Sequence, residues 1–224
     1  MYKLNPAFTV PEDVNIKVWR YMDLSKFVAM LQSSALFFSC ADRMGDKLEG
    51  SYPLGNAERR LSAYYGIKRY PGFERKLRQW TAINCWHMNN GESDAMWKLY
   101  LKSDEGLAIQ STFSRLSESF CKTKQEINIG VVKYINFAVE QIPEIHHVGH
   151  YFSPFLHKQK SFEHERELRA IIQDVPICKQ MNGLLGVQEN IIDMDAPGWG
   201  AGKTIPVDLK KLVETIYVCP ESPE

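Results

Sequence analysis

Short apolar segments of strand length alternate with amphipathic segments of helical period along the whole chain, with no internal repeat and no low-complexity linker. Asn15 to Met22 (NIKVWRYM) reads as a strand, and Ser25 opens a helix in which Phe27, Val28, Met30 and Leu31 fall at helical spacing. Ala35 to Cys40 (ALFFSC) is a second strand, followed by a polar, turn-like stretch from Asp42 to Pro53 and a basic helical region from Asn56 to Trp80 broken at Tyr70-Pro71-Gly72. Ile83 to His87 predicts a short strand, Glu92 to Lys102 a helix, Gly106 to Thr112 a strand, Ser114 to Phe120 a helix and Ile127 to Phe137 another strand. Gln141 to Lys160 is rich in His, Pro and aromatics and reads as irregular; Glu165 to Val175 (ERELRAIIQDV) is a strand with a charged start. Lys203 to Pro220 reads strand, short helix, strand. Six or more strands among short helices predict an α+β domain with a mixed, largely antiparallel sheet core and short surrounding helices.

A chain of 224 residues suffices for one sizeable core and is short for two, so a single domain over 1–224 is expected. Hydrophobic residues at 44% and charged residues at 24% match a globular protein and exclude compositional disorder. Lys plus Arg and Asp plus Glu both number 27, so no net field draws the chain to nucleic acid or an anionic membrane, and any anion site must be local. The apolar runs are far too short to span a bilayer, and the N-terminus has no basic region followed by an apolar run. With five widely spaced cysteines (Cys40, Cys85, Cys121, Cys178, Cys219) and no Cys-x-x-Cys pair, the expectation is reduced core thiols in a cytoplasmic protein.

Four signals invite chemistry and read better as structure. GWGAGKT ends like a phosphate loop, but the position of its first glycine is Pro197 and a strand, not a helix, follows Thr204; a flexible turn is expected. His146 and His150 are four apart as helical metal ligands would be, yet Pro143 and Pro154 bracket a stretch with little helical pattern, and no metal site is expected. Cys85 and His87 share one strand face, as any inward-facing pair does, and a buried thiol is usually inert. Seven basic residues from Arg59 to Arg78, interleaved with Tyr64, Tyr65, Tyr70 and Phe73, would suit stacking and phosphate contacts with nucleic acid; a solvated helix face is the favoured reading.

Three further features carry chemistry that fits together. Arg20 stands in the first strand between Trp19 and Tyr21, where its fork suits an anion or carboxylate. Ser111 and Thr112 end the strand GLAIQST with two hydroxyls. Glu165 and Glu167 form Glu-x-Glu at the start of ERELRAII, where the period-two rule puts both on one face. The order arginine, Ser-Thr, Glu-x-Glu resembles the arginine-serine-glutamate class of ADP-ribosyltransferases. That resemblance implies NAD as a substrate, with no permanently bound cofactor and no metal. Arg20 would grip its pyrophosphate, Ser111 and Thr112 would brace the site, and Tyr21 or Phe113 would stack on nicotinamide. Glu167 would stabilise the oxocarbenium-like transition state of glycosidic cleavage while Glu165 activates the acceptor. The alternative for the same residues is structural: Arg20 paired with Glu165 or Glu167 across neighbouring strands, with Ser111 and Thr112 merely ending one.

Residues spread over about 16–220 also resemble a bacterial domain-of-unknown-function family, number twenty-nine seventy-one. They are Trp19-Arg20-Tyr21, Leu36-Phe37-Phe38-Ser39, Asp46, Glu49, Cys85-Trp86-His87, Met96-Trp97, Tyr100, Gly106, Ala108, Ile109, Lys160, Phe162, Glu165, Glu167, Arg169, Ile205 to Leu209 and Pro220. The chain departs from that family's pattern at Gly45-Asp46-Lys47, where Asn-Asp-Pro is common, and at Phe162, where Trp is. The resemblance implies no activity, and makes Arg20, Asp46, Glu49, Trp97, Glu165, Glu167 and Arg169 the residues of interest. Two other functions fit the letters. In one, Asp46, Glu49, Glu165 and Glu167 converge on Mg²⁺ in a nuclease or phosphoesterase, with Lys160 near the scissile phosphate. In the other, the chain is a non-catalytic sensor or interaction module whose charges are structural ion pairs.

Overall fold

The computed structural model of the chain describes residues 1–56, 72–101, 105–142, 150–182 and 187–222. It is an α+β domain built on one eight-stranded antiparallel sheet. The strands are β1 (Lys17–Asp23), β2 (Ala35–Cys40), β3 (Thr81–Met88), β4 (Gly106–Thr112), β5 (Asn128–Val131), β8 (Glu167–Gln173), β11 (Gly202–Pro206) and β12 (Thr215–Val218). β6 (Lys133–Ile135) with β7 (His157–Gln159), and β9 (Ile177–Asn182) with β10 (Val187–Ile192), make two separate two-stranded ladders, the first of them parallel.

The alternation of side chains along each strand sorts the core onto two faces. Val18 and Met22 of β1, Leu36 and Phe38 of β2, Trp86 of β3 and Ile109 of β4 point to one face. There they meet Met30 of α1 (Leu24–Ser33), and Phe113 and Leu116 of α4 (Phe113–Ser119), with Leu212 of α5 (Leu209–Leu212). On the other face Trp19, Tyr21 and Ala108 pack on Met96 and Trp97 of α3 (Asp94–Tyr100). Farther along that face, Ile83 and Ile171 pack on Leu77 of α2 (Phe73–Gln79) and on Phe152, Phe155 and Leu156 of the turn-rich connection between β6 and β8.

β3 is the centre of the sheet, and its two edges differ. One edge is covered along its length by β8, from Thr81 opposite Gln173 to His87 opposite Glu167. The other edge is shared. β2 pairs with the beginning of β3, Ser39 with Ile83 and Cys40 with Ala82, and β1 pairs with its end, Trp19 with His87 and Val18 with Met88. Among the described residues no strand register covers Asn84, Cys85 and Trp86 on that edge, so the sheet forks there. Side chains bridge the fork instead: Asn84 Nδ2 donates to the Phe37 carbonyl of β2, and Arg20 Nη1 of β1 donates to the Cys85 carbonyl.

Several sequence readings change. The strand over 127–137 is two strands, with β5 on β8 and β6 on β7. The strand expected from Glu165 begins at Glu167; Glu165 closes a 3₁₀ turn, Lys160–Glu165, and Arg166 takes a left-handed conformation, φ 41° and ψ 55°. Val28 and Leu31 of α1, read as part of an apolar face, are exposed, and Cys121 is an exposed rather than a core thiol. The GWGAGKT segment is a turn with Gly200 and Gly202 at positive φ, running into β11. A Cβ at Gly202 would collide with the Phe38 carbonyl, which explains the glycine where β11 joins β2. Most of the basic segment, Arg59 to Arg69, lies outside the described residues, as do His146 and His147.

Candidate functional site

The fork opens into a cavity of about 610 Å³ whose walls come from both faces of the sheet. On the α1 side they are Met22, Leu36 and a stripe of the helix at three- and four-residue spacing, Lys26, Ala29, Met30 and Ser33. On the other side they are Tyr21, His87, Tyr100, Glu165 and Glu167, with Arg20 and Cys85 in the fork between.

Beneath the second side lies a ladder of buried charge. Arg169 of β8 is fully buried and holds Glu49 with both forks, Nη1 to Oε1 at 2.7 Å and Nη2 to Oε2 at 2.9 Å. Its Nε donates to Glu167 Oε2 at 2.6 Å. The other oxygen of Glu167 accepts from Lys158 Nζ at 2.6 Å, and Lys158 reaches on to Glu165 Oε2 at 2.8 Å while sitting over the Phe162 ring. Lys158 comes from the short parallel strand β7, and Glu49 from the turn after β2. Glu165 and Glu167 do converge, but not by strand alternation: the left-handed Arg166 turns the chain so that a residue outside the strand meets one inside it on a shared ammonium.

Three carboxyl groups share two cations in this ladder, so one acid is in excess; burial raises the pKa of Glu49, with Arg169 opposing, but Glu49 does not line the cavity, and the environment separates the two carboxyls that do. Burial alone would raise the pKa of Glu167, but Arg169, the hydrogen bond from Glu165 and Lys158 outweigh it and hold Glu167 well below the carboxylate range. Burial, and then the hydrogen bond and charge of Glu167, push Glu165 up to about 7, with Lys158 opposing. Neighbouring carboxyls driven apart in this way form an ionised anchor and a proton-exchanging partner. Both oxygens of Glu167 are held by cations; Glu165, which also accepts from the Tyr100 hydroxyl at 3.3 Å, is the carboxyl able to exchange a proton in the cavity.

Arg20 is a cation of a different kind. Its guanidinium meets the Cys85 carbonyl at 2.6 Å, and among the described residues no carboxylate lies within 4.0 Å of it. The structural alternative, a pairing of Arg20 with Glu165 or Glu167, does not form, because β3 stands between β1 and β8. Desolvation lowers the pKa of Arg20, with Cys85 and Tyr100 opposing. A desolvated guanidinium without a carboxylate, lining a cavity, is a ready anion site.

By its place in the sequence His87 is an ordinary inward-facing strand residue. Its Nδ1 donates to the Glu165 carbonyl at 2.7 Å, which leaves Nε2 as the bare nitrogen of the neutral ring; Nε2 is buried with no hydrogen-bond partner among the described residues. Burial keeps the ring's pKa low, against that hydrogen bond. Cys85 is a thiol whose pKa burial drives far up, so it is no nucleophile.

The hydroxyls of Ser111 and Thr112 serve the scaffold. Ser111 Oγ donates to the Leu212 carbonyl, and Thr112 Oγ1 caps α4 by accepting from the Arg115 N–H at 3.1 Å. Phe113 packs in the core below α4. Trp97 donates to Glu92, and its ring meets Tyr21 edge-on. Tyr21 uses its hydroxyl to accept the Ser93 N–H, which fixes the start of α3. Asp46 turns back on the Leu48 N–H, and Glu49 is occupied by Arg169, so these carboxylates do not converge with Glu165 and Glu167 on a shared opening. Among the described residues there is no group of three or more acidic, His or Cys side chains arranged to hold a metal. Lys160 is exposed; the lysine of the site is Lys158, two residues earlier. No helix among the described residues is long and apolar enough to cross a membrane. Comparison of the chain with protein-family models, with curated proteins and with solved structures gives no match.

Proposed function

We propose that this chain is an enzyme that binds a nucleotide of the NAD type in the forked sheet and cleaves its nicotinamide glycosidic bond. The observation that carries this reading is that Arg20, a desolvated cation with no carboxylate within 4.0 Å among the described residues, shares one cavity with a carboxyl group whose pKa is about 7. The resemblance to the arginine-serine-glutamate ADP-ribosyltransferases points the same way for Arg20, Glu165 and Glu167. It gains nothing from Ser111 and Thr112, whose hydroxyls bond to the protein backbone.

In the proposed reaction Arg20 binds the pyrophosphate. The ribose lies towards Glu165 and Glu167, where the ladder carries one net negative charge once Glu165 is ionised. That field favours the positive charge that develops on the ribose as the bond from C1′ to nicotinamide breaks. Nicotinamide departs with the bonding electron pair as a neutral molecule. A water, or the hydroxyl of an acceptor, forms the new bond to C1′ and gives its proton to Glu165, whose pKa suits a base at neutral pH. Glu167 anchors Lys158 and Arg169 and keeps Glu165 in place.

The test is the affinity for NAD of wild type and of Arg20→Met, measured by calorimetry. Binding by the wild type that weakens at least tenfold in the variant supports the reading; equal affinities, or no binding by the wild type, refute it.

A further inference from the structure

We infer that Tyr100 is the positioning residue of this site: its hydroxyl, reaching from α3 into the cavity, holds the ionised form of Glu165 by one carboxyl oxygen and leaves the other to take the proton of the attacking water or hydroxyl. This rests on the reading of Glu165 as the base and specifies how that base is held.

The two oxygens of Glu165 are treated differently. Oε2 accepts from Lys158 Nζ at 2.8 Å and from the Tyr100 hydroxyl at 3.3 Å, whereas no N–H and no hydroxyl among the described residues donates to Oε1. The main-chain carbonyl of Glu165 accepts from His87 Nδ1 at 2.7 Å, so the residue is pinned at both ends. Both oxygens of Glu167 are held by cations, and Oε1 of Glu165 is the oxygen of the pair left to take a proton.

Tyr100 is brought there by α3. Met96 and Trp97 are buried against Trp19, Tyr21 and Ala108 and seat the helix on the sheet, and Tyr100, four and three residues later, falls on the same flank. Tyr100 lines the cavity and is 39% exposed, while the carboxyl group it reaches belongs to a residue only 7% exposed. Burial, and then the neighbouring Cys85, Glu165 and Glu167, drive the pKa of Tyr100 far up, with Arg20 opposing, so the hydroxyl stays a donor throughout the range in which Glu165 titrates. A donor bonds a carboxylate more strongly than a neutral carboxyl group. The contact therefore favours ionised Glu165, working with Lys158 against the burial and the Glu167 charge that favour the protonated form. Glu165 is faced by Lys158 of β7, Glu167 of β8, Tyr134 of β6 and Tyr100 of α3, and across the cavity by His87 and Cys85 of β3 and Arg20 of β1. Of these, Tyr100 is the one whose bond to the carboxyl group can be removed without removing a charge.

The test is a ¹³C-carboxyl NMR titration of wild type and Tyr100→Phe from about pH 4 to about pH 9, with Glu165→Gln assigning the resonance and melting temperatures verifying the fold. Phenylalanine keeps the ring, and the position is partly exposed, so the variant should melt close to wild type. Tyr100→Phe should raise the midpoint of Glu165 by about one unit, a roughly tenfold gain in proton affinity, and the pH midpoint of nicotinamide release from NAD should rise with it. A Glu165 midpoint that is unmoved or lowered in Tyr100→Phe overturns the assignment, whether or not NAD is cleaved. So does a pH profile of release that coincides with that of the wild type. A raised midpoint in a protein that releases no nicotinamide supports Tyr100 as the group that holds ionised Glu165 and refutes the proposed function alone.

Discussion

Arg20 of β1 donates to the main-chain carbonyl of Cys85 on β3, at 2.6 Å, at the point where the sheet divides and no strand register covers that edge among the described residues. A charged group is thereby held over an opening, and its removal tests whether it serves the fold or a ligand. Arg20→Met takes the donor from the Cys85 carbonyl, at a cost of about 1–3 kcal/mol, and leaves no carboxylate of the described residues unpaired. It should weaken binding of NAD or ADP-ribose by about 10- to 150-fold, the range given by losing about 1.5–3 kcal/mol of charged hydrogen bonding. Melting temperature and calorimetry on the same preparation check both halves.

Arg169 is the opposite case. Arg169→Met would leave Glu49 buried without its cation and Glu167 with Lys158 alone. Breaking a buried ion pair on one side costs about 3–5 kcal/mol. For a chain of this size that is a fall of roughly 6–20 °C in melting temperature. A fall of only a degree or two would mean that the ladder is not the pillar of this end of the sheet.

Glu165 gives the pH dependence. Its folded pKa, about 7, lies above its ordinary value of 4.5, so the folded state holds a proton that the unfolded state has released between those values. Stability from this group is therefore full below about pH 4.5 and is lost as pH rises through about 7. Glu167 runs the other way, adding stability above its ordinary value that is lost only as the pH falls through its depressed pKa. Glu165→Gln should remove the decline in melting temperature between pH 5 and 7; an unchanged profile would put the titrating group elsewhere.

Thr112→Ala separates the scaffold from the site. The lost cap on α4 should cost about 0.5–2 kcal/mol, with affinity for NAD unchanged. Weaker binding in a variant of normal stability would restore the Ser-Thr pair to the site.

Much of this architecture is legible in the sequence, and the reasons for the rest are specific. ALFFSC and GLAIQST read as strands with the observed bounds because a short apolar run between turn residues has few other solutions. ERELRAII also reads as a strand, yet its first glutamate lies outside it. Arg166 closes the 3₁₀ turn in a left-handed conformation with its N–H on the Glu163 carbonyl, and the meeting of Glu165 with Lys158 is a tertiary contact that no local pattern announces. Arg20, Glu165 and Glu167 stood out as charges in strands, where burial makes a charge conspicuous. Lys158 and Glu49 are less legible, because Lys158 meets Glu167 from 9 residues away and Glu49 meets Arg169 from 120, and the sheet alone brings them together. The orphaned nitrogen of His87 is a property of the folded chain alone. Ser111 and Thr112 show the reverse: a strand-end hydroxyl and a helix cap have the same letters as a substrate brace.

The central claim is that Glu165 is the base of a glycosidic cleavage in this cavity, and the most direct measurement is the rate of nicotinamide release from saturating NAD by wild type and by Glu165→Gln at pH 8. The account predicts release by the wild type, a rate that rises with pH through about 7, and a loss of roughly 10²- to 10⁴-fold in the variant at undiminished melting temperature and NAD affinity. Release by Glu165→Gln at the wild-type rate, or none from wild type that binds NAD, would contradict it.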